Sequence, residues 1–142
     1  MIWFLRHGDA EDGSPDEARR LTGKGRRQSV NAGRALAALG VDLDVCLSSP
    51  KIRAVETAEL ACEALGVEVE EVDALRGGNF DPEDVAAGRG EVLLVGHEPD
   101  FSNAIAAATG ARVKLKKGGL AAVDGRELHV LLRPAELERI GG

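Results

Sequence analysis

The sequence predicts an α/β protein: a three-layer α/β/α sandwich whose central sheet is largely parallel and ends in a C-terminal antiparallel hairpin. Three observations carry that reading. The apolar runs Ile2–Leu5 and Val92–Val95 are continuous rather than alternating, and Leu43–Leu47 is interrupted only by Asp44, the pattern of strands buried on both faces. Segments with helical spacing alternate with those runs, and this alternation builds a parallel sheet covered by helices. Near the end of the chain, Leu120–Val123 and Leu128–Leu132 flank Asp124-Gly125, a strong hairpin signal, with Arg126 able to lengthen the turn.

Each element follows in order. Ile2–Leu5 is an apolar strand stopped by the polar His7-Gly8-Asp9. After a loop rich in Asp, Glu, Ser and Pro, Thr22 is placed to N-cap a helix with apolar positions Val30, Ala35, Leu36 and Leu39, ended by Gly40. Behind the second strand, Ser49-Pro50 reads as an N-cap with proline in the first helical position. That helix runs to about Leu65 on a stripe of Ile52, Val55, Leu60, Ala61 and Leu65, with Gly66 as its left-handed stop. Val67–Val72 alternates apolar residues with glutamate, which suits an edge strand with one wet face. Gly77-Gly78 marks a flexible loop. Asp81-Pro82 repeats the cap-plus-proline signal for a short helix ending near Gly88. Beyond Val92–Val95, an alanine-rich helix runs through Phe101, Ile105 and Ala108 to Gly110.

Composition bounds the function. The chain has 142 residues, 44% hydrophobic and 30% charged, which fits one domain spanning 1–142 that folds without disulfides or structural metal. Its formal charge of −6 argues against a nucleic-acid partner. No apolar run is long enough for a membrane span, and Arg6 interrupts the N-terminal apolar stretch, so no membrane partner is expected. Cys46 and Cys62 lie inside apolar runs and read as small buried hydrophobes in a reducing compartment, which makes the cytoplasm the expected location.

Three polar clusters each follow an interior strand: Arg6-His7-Gly8-Asp9, Ser48-Ser49-Pro50-Lys51-Ile52-Arg53 and Gly96-His97-Glu98-Pro99. Ligands bind beyond the C-terminal ends of strands in such a sheet, so the fold gathers all three at one rim. Two imidazoles and two guanidiniums there form a hydrogen-bonding pocket for a phosphoryl group, since arginine forks match phosphate oxygens. A neutral imidazole can attack phosphorus in line and divide one hard displacement into two easier ones. The dipole of the helix opened by Ser49-Pro50 favours a bound anion.

The Arg6-His7-Gly8 triplet after an N-terminal strand, Ser49-Pro50 with Arg53-Ala54 and Thr57-Ala58, and the late Gly96-His97 resemble the histidine phosphatase superfamily, whose fold is phosphoglycerate mutase-like. Arg6-His7-Gly8-Asp9-Ala10, then Arg19, Leu21-Thr22 and Gly25, resembles its SixA-type phosphohistidine phosphatases over nearly the whole chain. The resemblance implies one histidine phosphatase domain over 1–142 that hydrolyses phosphohistidine on a signalling or phosphotransfer protein. It implies His7 as nucleophile, with Arg6, Arg53 and His97 gripping the phosphoryl oxygens. Arg19 falls where SixA-type chains carry a further phosphate-side arginine, but the proline that follows in that pattern is Arg20 here, so either arginine can be the fourth cation. Gly8 and Ser49 complete the expected substrate-binding set. No cofactor and no metal are expected.

A catalytic glutamate, which larger members of the superfamily carry after a mid-chain leucine, is absent from Leu75-Arg76-Gly77-Gly78. An imidazole leaving group needs less proton assistance than an alkoxide, so this absence favours an N-phosphate over an ester. Asp9, Asp73, Asp81, Glu98 and Asp100 remain candidate proton carriers. The rivals are a phosphatase for small-molecule phosphate esters, a metal-dependent hydrolase using His7, Asp9, His97 and Glu98, and a catalytically silent phosphate-binding module. His129, within the last hairpin, reads as a partly exposed strand residue. Arg19, Arg20, Lys24, Arg26, Arg27 and Arg34 read as a solvated helix face or a guide for an acidic phosphoprotein, and Lys114, Lys116 and Lys117 as a charged strand end guarding an edge.

Overall fold

The apolar runs are continuous because alternate residues of each central strand enter different cores. In the computed structural model, which describes residues 1–142, β1 (Ile2–Arg6), β2 (Val45–Ser48) and β4 (Val92–Gly96) are the inner strands of a six-stranded sheet. With β3 (Val69–Glu71), β5 (Leu120–Asp124) and β6 (Glu127–Leu132), the order is β3-β2-β4-β1-β5-β6. The pairs β1–β4, β2–β4 and β2–β3 are parallel, whereas β5 runs antiparallel to both β1 and β6.

Trp3, Leu5, Cys46, Leu93 and Val95 face one core, completed by α1 (Gly23–Ala38), α2 (Ile52–Glu63) and α5 (Pro134–Gly141). Ile2, Phe4, Val45, Leu47, Val92 and Leu94 face the other, covered by α3 (Pro82–Ala86) and α4 (Asp100–Thr109). This is the three-layer sandwich expected. Handedness explains the division of helices: the chain winds from β1 outward to β3 over one face and returns to β4 over the other, as right-handed crossovers require.

Local signals set most boundaries. The Thr22 hydroxyl accepts from the Gly25 amide at 3.1 Å, and the Asp81 carboxylate accepts from the Glu83 amide at 3.0 Å, so both caps form as read. Four readings are corrected. α2 begins at Ile52 with Lys51 as N-cap, because Ser49 Oγ closes a tight turn on the Lys51 amide instead of capping the helix. Ile52 and Leu39 are exposed and lie off their helices' buried stripes. The hairpin turns on Gly125-Arg126, with Gly125 at φ 60° in the first central position and Asp124 paired to Glu127. Lys114, Lys116 and Lys117 lie in the loop before β5 and end no strand.

The helix α5 is an element without counterpart in the sequence reading. Pro134 occupies its first turn, the Glu136 carboxylate accepts from the Arg133 amide at 2.7 Å, and Leu137 is fully buried against α1. That cap-and-proline signature was legible in Arg133-Pro134-Ala135-Glu136.

Candidate active site

Register brings the three polar clusters together. Arg6 pairs with Gly96 and Ser48 with Val95, so the residues that follow β1, β2 and β4 emerge side by side. The His7 amide donates to the Gly96 carbonyl and the Ser49 amide to the Val95 carbonyl, each extending the ladder one step past the strand. The rings of His7 and His97 lie 5.2 Å apart between centroids and are tilted by 55°. His7, Ser49, Arg53 and His97 are all buried.

The backbone fixes the His7 tautomer. Nδ1 lies 2.7 Å from the carbonyl of Gly8, an acceptor only, so Nδ1 carries the proton and Nε2 the lone pair. Arg53 Nε donates toward that lone pair at 3.4 Å. Gly8 itself has no space for a side chain: a Cβ there would stand 2.5 Å from the Gly25 carbonyl oxygen. Its amide donates to Thr57 Oγ1 at 3.1 Å, while the Thr57 hydroxyl donates to the Arg53 carbonyl at 2.8 Å. Thr57 therefore ties the loop of the nucleophile candidate to the helix that carries Arg53.

Burial and surrounding cations keep both imidazoles neutral. Burial, followed by the nearby charges of Arg53, Arg6 and Arg19, takes His7 down to about 4 despite its bond to Gly8. Burial, then His7, Arg53 and Lys51, takes His97 to about 3. His97 Nε2 lies 2.8 Å from Ser49 Oγ, the same oxygen that accepts from the Lys51 amide, so Ser49 holds His97 in place. The chain has three buried polar side-chain atoms with no partner, and two belong to this site: Arg6 Nε and His97 Nδ1. Buried donors and acceptors are ordinarily paired, so these two mark where an anion would complete the structure.

Asp16, which the sequence reading passed over, is the anion these cations hold. Its carboxylate lies 3.1 Å from Arg19 Nη1, 3.3 Å from Arg53 Nη2 and 3.4 Å from Lys51 Nζ, and its carbonyl accepts from Arg53 Nη1 at 2.9 Å. Hydrogen bonding from Arg19, then Arg53 and Lys51, brings the carboxyl down to about 2. Arg19 and Arg20 part company in space. Arg19 joins this cluster and its charge reaches His7, whereas Arg20 pairs with Glu56 at 2.8 Å.

The five candidate proton carriers are engaged elsewhere. Asp9 accepts from Thr22 and pairs with Lys117, Asp73 pairs with Arg76, and Asp81 caps α3. Glu98 accepts from the Ser102 and Leu115 amides, and Asp100 from the Gly78 amide. His129 is exposed beside Glu127 in β6, in keeping with a partly exposed strand residue of the last hairpin. No group of three or more His, Cys, Asp or Glu side chains is arranged to hold a metal ion, so the four ligands of the metal-hydrolase rival do not converge. No helix is long and apolar enough to cross a membrane.

Comparison with known proteins agrees with this geometry. The family model of the histidine phosphatase superfamily (branch 1) matches residues 2–85. An uncharacterized protein of Picosynechococcus sp. is 37% identical over 134 residues, covering 84% of this chain and 81% of that one. Mitochondrial serine/threonine-protein phosphatases Pgam5 of Drosophila match more locally: for Drosophila melanogaster the identity is 35% over 72 residues, and this chain spans 25% of that protein's length. Among solved structures, the protein histidine phosphatase SixA complexed with tungstate superposes with a TM-score of 0.82 at 24% identity, covering 96% of this chain and 98% of that one. The putative phosphohistidine phosphatase SixA from Nakamurella multipartitia gives 0.79 at 25% identity, covering 94% and 95%.

Proposed function

The chain belongs to the histidine phosphatase superfamily, with a SixA-type fold, and from that membership we propose that it hydrolyses phosphohistidine on a signalling or phosphotransfer protein through a covalent intermediate on His7. The observation that carries this reading is the His7 tautomer: Nδ1–H is held by the Gly8 carbonyl, and the Nε2 lone pair stands beside Arg53 and His97. Nε2 attacks phosphorus, forming the N–P bond as the bond to the substrate imidazole breaks. A phosphoimidazole protonated at its second ring nitrogen leaves as neutral imidazole, so the enzyme supplies no proton in that step. Water then displaces His7, which departs neutral because Gly8 still holds its Nδ1 proton. One hydrogen bond thus makes His7 both a ready nucleophile and a ready leaving group.

Arg6, Arg53, Arg19 and His97 bind the phosphoryl oxygens in this reading, and the three arginines carry the charge that Mg²⁺ carries in kinases, so the reaction proceeds without metal or cofactor. The two unpaired atoms, Arg6 Nε and His97 Nδ1, support that assignment, and Ser49 and Gly8 act by positioning His97 and His7. The SixA structure with tungstate, a tetrahedral oxyanion, supports a phosphoryl ligand in this fold. Asp16, the carboxylate that pairs with Arg53, is held at about 2 and stays ionised at neutral pH. The absence of a protonated carboxyl favours an N-phosphate over an alkyl ester. We take residues 1–142 as one catalytic unit, and the free buried thiols Cys46 and Cys62 support a reducing, cytoplasmic setting.

The test is initial-rate hydrolysis, in chelator, of a phosphohistidine-bearing carrier protein and of a panel of small phosphate esters. Preference for the protein N-phosphate, abolished by His7→Ala, is the expected result. Full activity in His7→Ala would refute the covalent step, a preference for esters would replace the substrate assignment, and loss of activity in chelator would restore a metal.

A further inference from the structure

Beside the phosphoryl site opens a cleft of about 680 Å³ with a charge opposite to that of the whole chain. Its lining includes six cations, Arg6, Lys24, Lys114, Lys116, Lys117 and Arg133, against one carboxylate, Asp9. The net charge of the protein is −6, so a cleft carrying +5 is a local inversion of the molecular field. Lys24, Lys114 and Lys116 are exposed and form no ion pair, while Lys117 reaches Asp9 at 3.5 Å and Arg133 pairs with Glu136.

The cationic loop is fastened to the backbone of the nucleophile candidate. The Gly118 amide donates to the carbonyls of Arg6 at 3.2 Å and His7 at 3.0 Å. The carbonyl of Leu115 accepts from Arg6 Nη1 at 3.0 Å, and its amide donates to Glu98 at 3.2 Å. The side chain of Leu115 is buried in the core and its neighbours Lys114 and Lys116 project into solvent. Arg6 is therefore shared, a wall of the cleft and a member of the phosphoryl site. Of the basic segment anticipated in the sequence, Lys24 lines this cleft, whereas Arg19 pairs with Asp16 and Arg20 and Arg26 pair with Glu56.

We propose that this cleft docks an acidic segment of the phosphoprotein substrate, holding carboxylates next to the phosphohistidine presented to His7. The proposal rests on the phosphohistidine reading above and assigns its substrate class more closely. Lysine ammonium groups on flexible stems are mobile, strongly hydrated point charges; they match dispersed carboxylates on a protein surface better than one fixed phosphate, which is held by arginine forks. Such a surface steers encounter and acts chiefly at low ionic strength.

Two synthetic peptides test it, each with one phosphohistidine, one flanked by glutamates and the other by lysines, with free phosphohistidine as a third substrate. Wild-type protein is expected to favour the glutamate peptide in kcat/KM by about tenfold or more at low salt, the lower range of electrostatic steering, and to lose the preference at high salt. The triple variant Lys24→Glu, Lys114→Glu, Lys116→Glu reverses the preference, the corresponding glutamine variant abolishes it, and both hydrolyse free phosphohistidine at the wild-type rate. Equal rates on both peptides in wild type, or an equal loss on free phosphohistidine in the variants, would overturn the proposal. If no phosphohistidine probe turns over, the function fails while docking stays testable: fluorescence anisotropy of an unphosphorylated glutamate-rich peptide shows binding that the triple variant loses, or shows none and removes the cleft.

Discussion

Lowering the pH from about 8 to about 5 is expected to destabilise the protein by about 4 kcal/mol, nearly all of it through His7 and His97. Their folded values lie at about 4 and about 3, held there chiefly by burial. In the unfolded chain an imidazole titrates near about 6.5. Between the unfolded and folded values the unfolded state binds the extra proton, so the free energy of unfolding falls as pH falls. At about pH 5 each group lies about 1.5 units below its unfolded value and still above its folded one; at about 1.36 kcal/mol per unit, each accounts for about 2 kcal/mol. Carboxylates held low in the fold, such as Asp16, act the same way only in a more acidic window, below about pH 4. Urea unfolding at several pH values between these limits measures the effect. His7→Asn and His97→Asn should each remove about half of the drop, since asparagine does not titrate. A drop under about 1 kcal/mol, or one that neither variant changes, would refute the claim that both rings are buried neutral.

Three further outcomes are expected. Arg53→Ala should weaken vanadate or phosphate binding by about 1.5 to 3 kcal/mol, the scale of a lost charged hydrogen bond, and unchanged binding in calorimetry would remove Arg53 from the phosphoryl site. Asp16→Asn should tighten the same ligands by up to about fivefold, because a half-exposed carboxylate then ceases to compete for Arg53, Arg19 and Lys51; weaker binding in a competition assay would instead make Asp16 a support of the site. Gly8→Ala should lower stability by about 1 to 3 kcal/mol by forcing apart the loop and α1, and a thermal melt matching wild type would contradict the close approach to Gly25.

The fold was legible in the chain because its signals are local. Continuous runs such as Val92–Val95 mark strands buried on both faces, and caps such as Thr22 and Asp81 satisfy amides only two or three residues away. The heart of the site was legible for a related reason. Arg6 ends β1, His7, Ser49 and His97 each stand just past a strand, and Arg53 lies in the first turn of the helix that follows β2; a parallel sheet delivers such ends to one rim whatever the details. Where a local signal had two outcomes, as at Ser49-Pro50 and Asp124-Gly125, the element arrived but shifted by one or two residues.

What the sequence alone determined, then, is the order of layers, the rim where the chemistry gathers and the residue types that meet there. The tertiary structure decided which charges pair. Arg20 lies beside Arg19 in the chain, yet Glu56, 36 residues on, takes Arg20 and leaves Arg19 for Asp16. Arg53 bonds Asp16 from 37 residues away, and Thr57 bonds Gly8 across 49. Lys114 and Lys116 join Lys24 and Arg133 in one cleft only after β5, α1 and α5 pack around it. Backbone caps and apolar periodicity act over a few residues and so are written in the local chain. Ion pairs and clefts form between side chains whose neighbours are fixed only when distant elements pack.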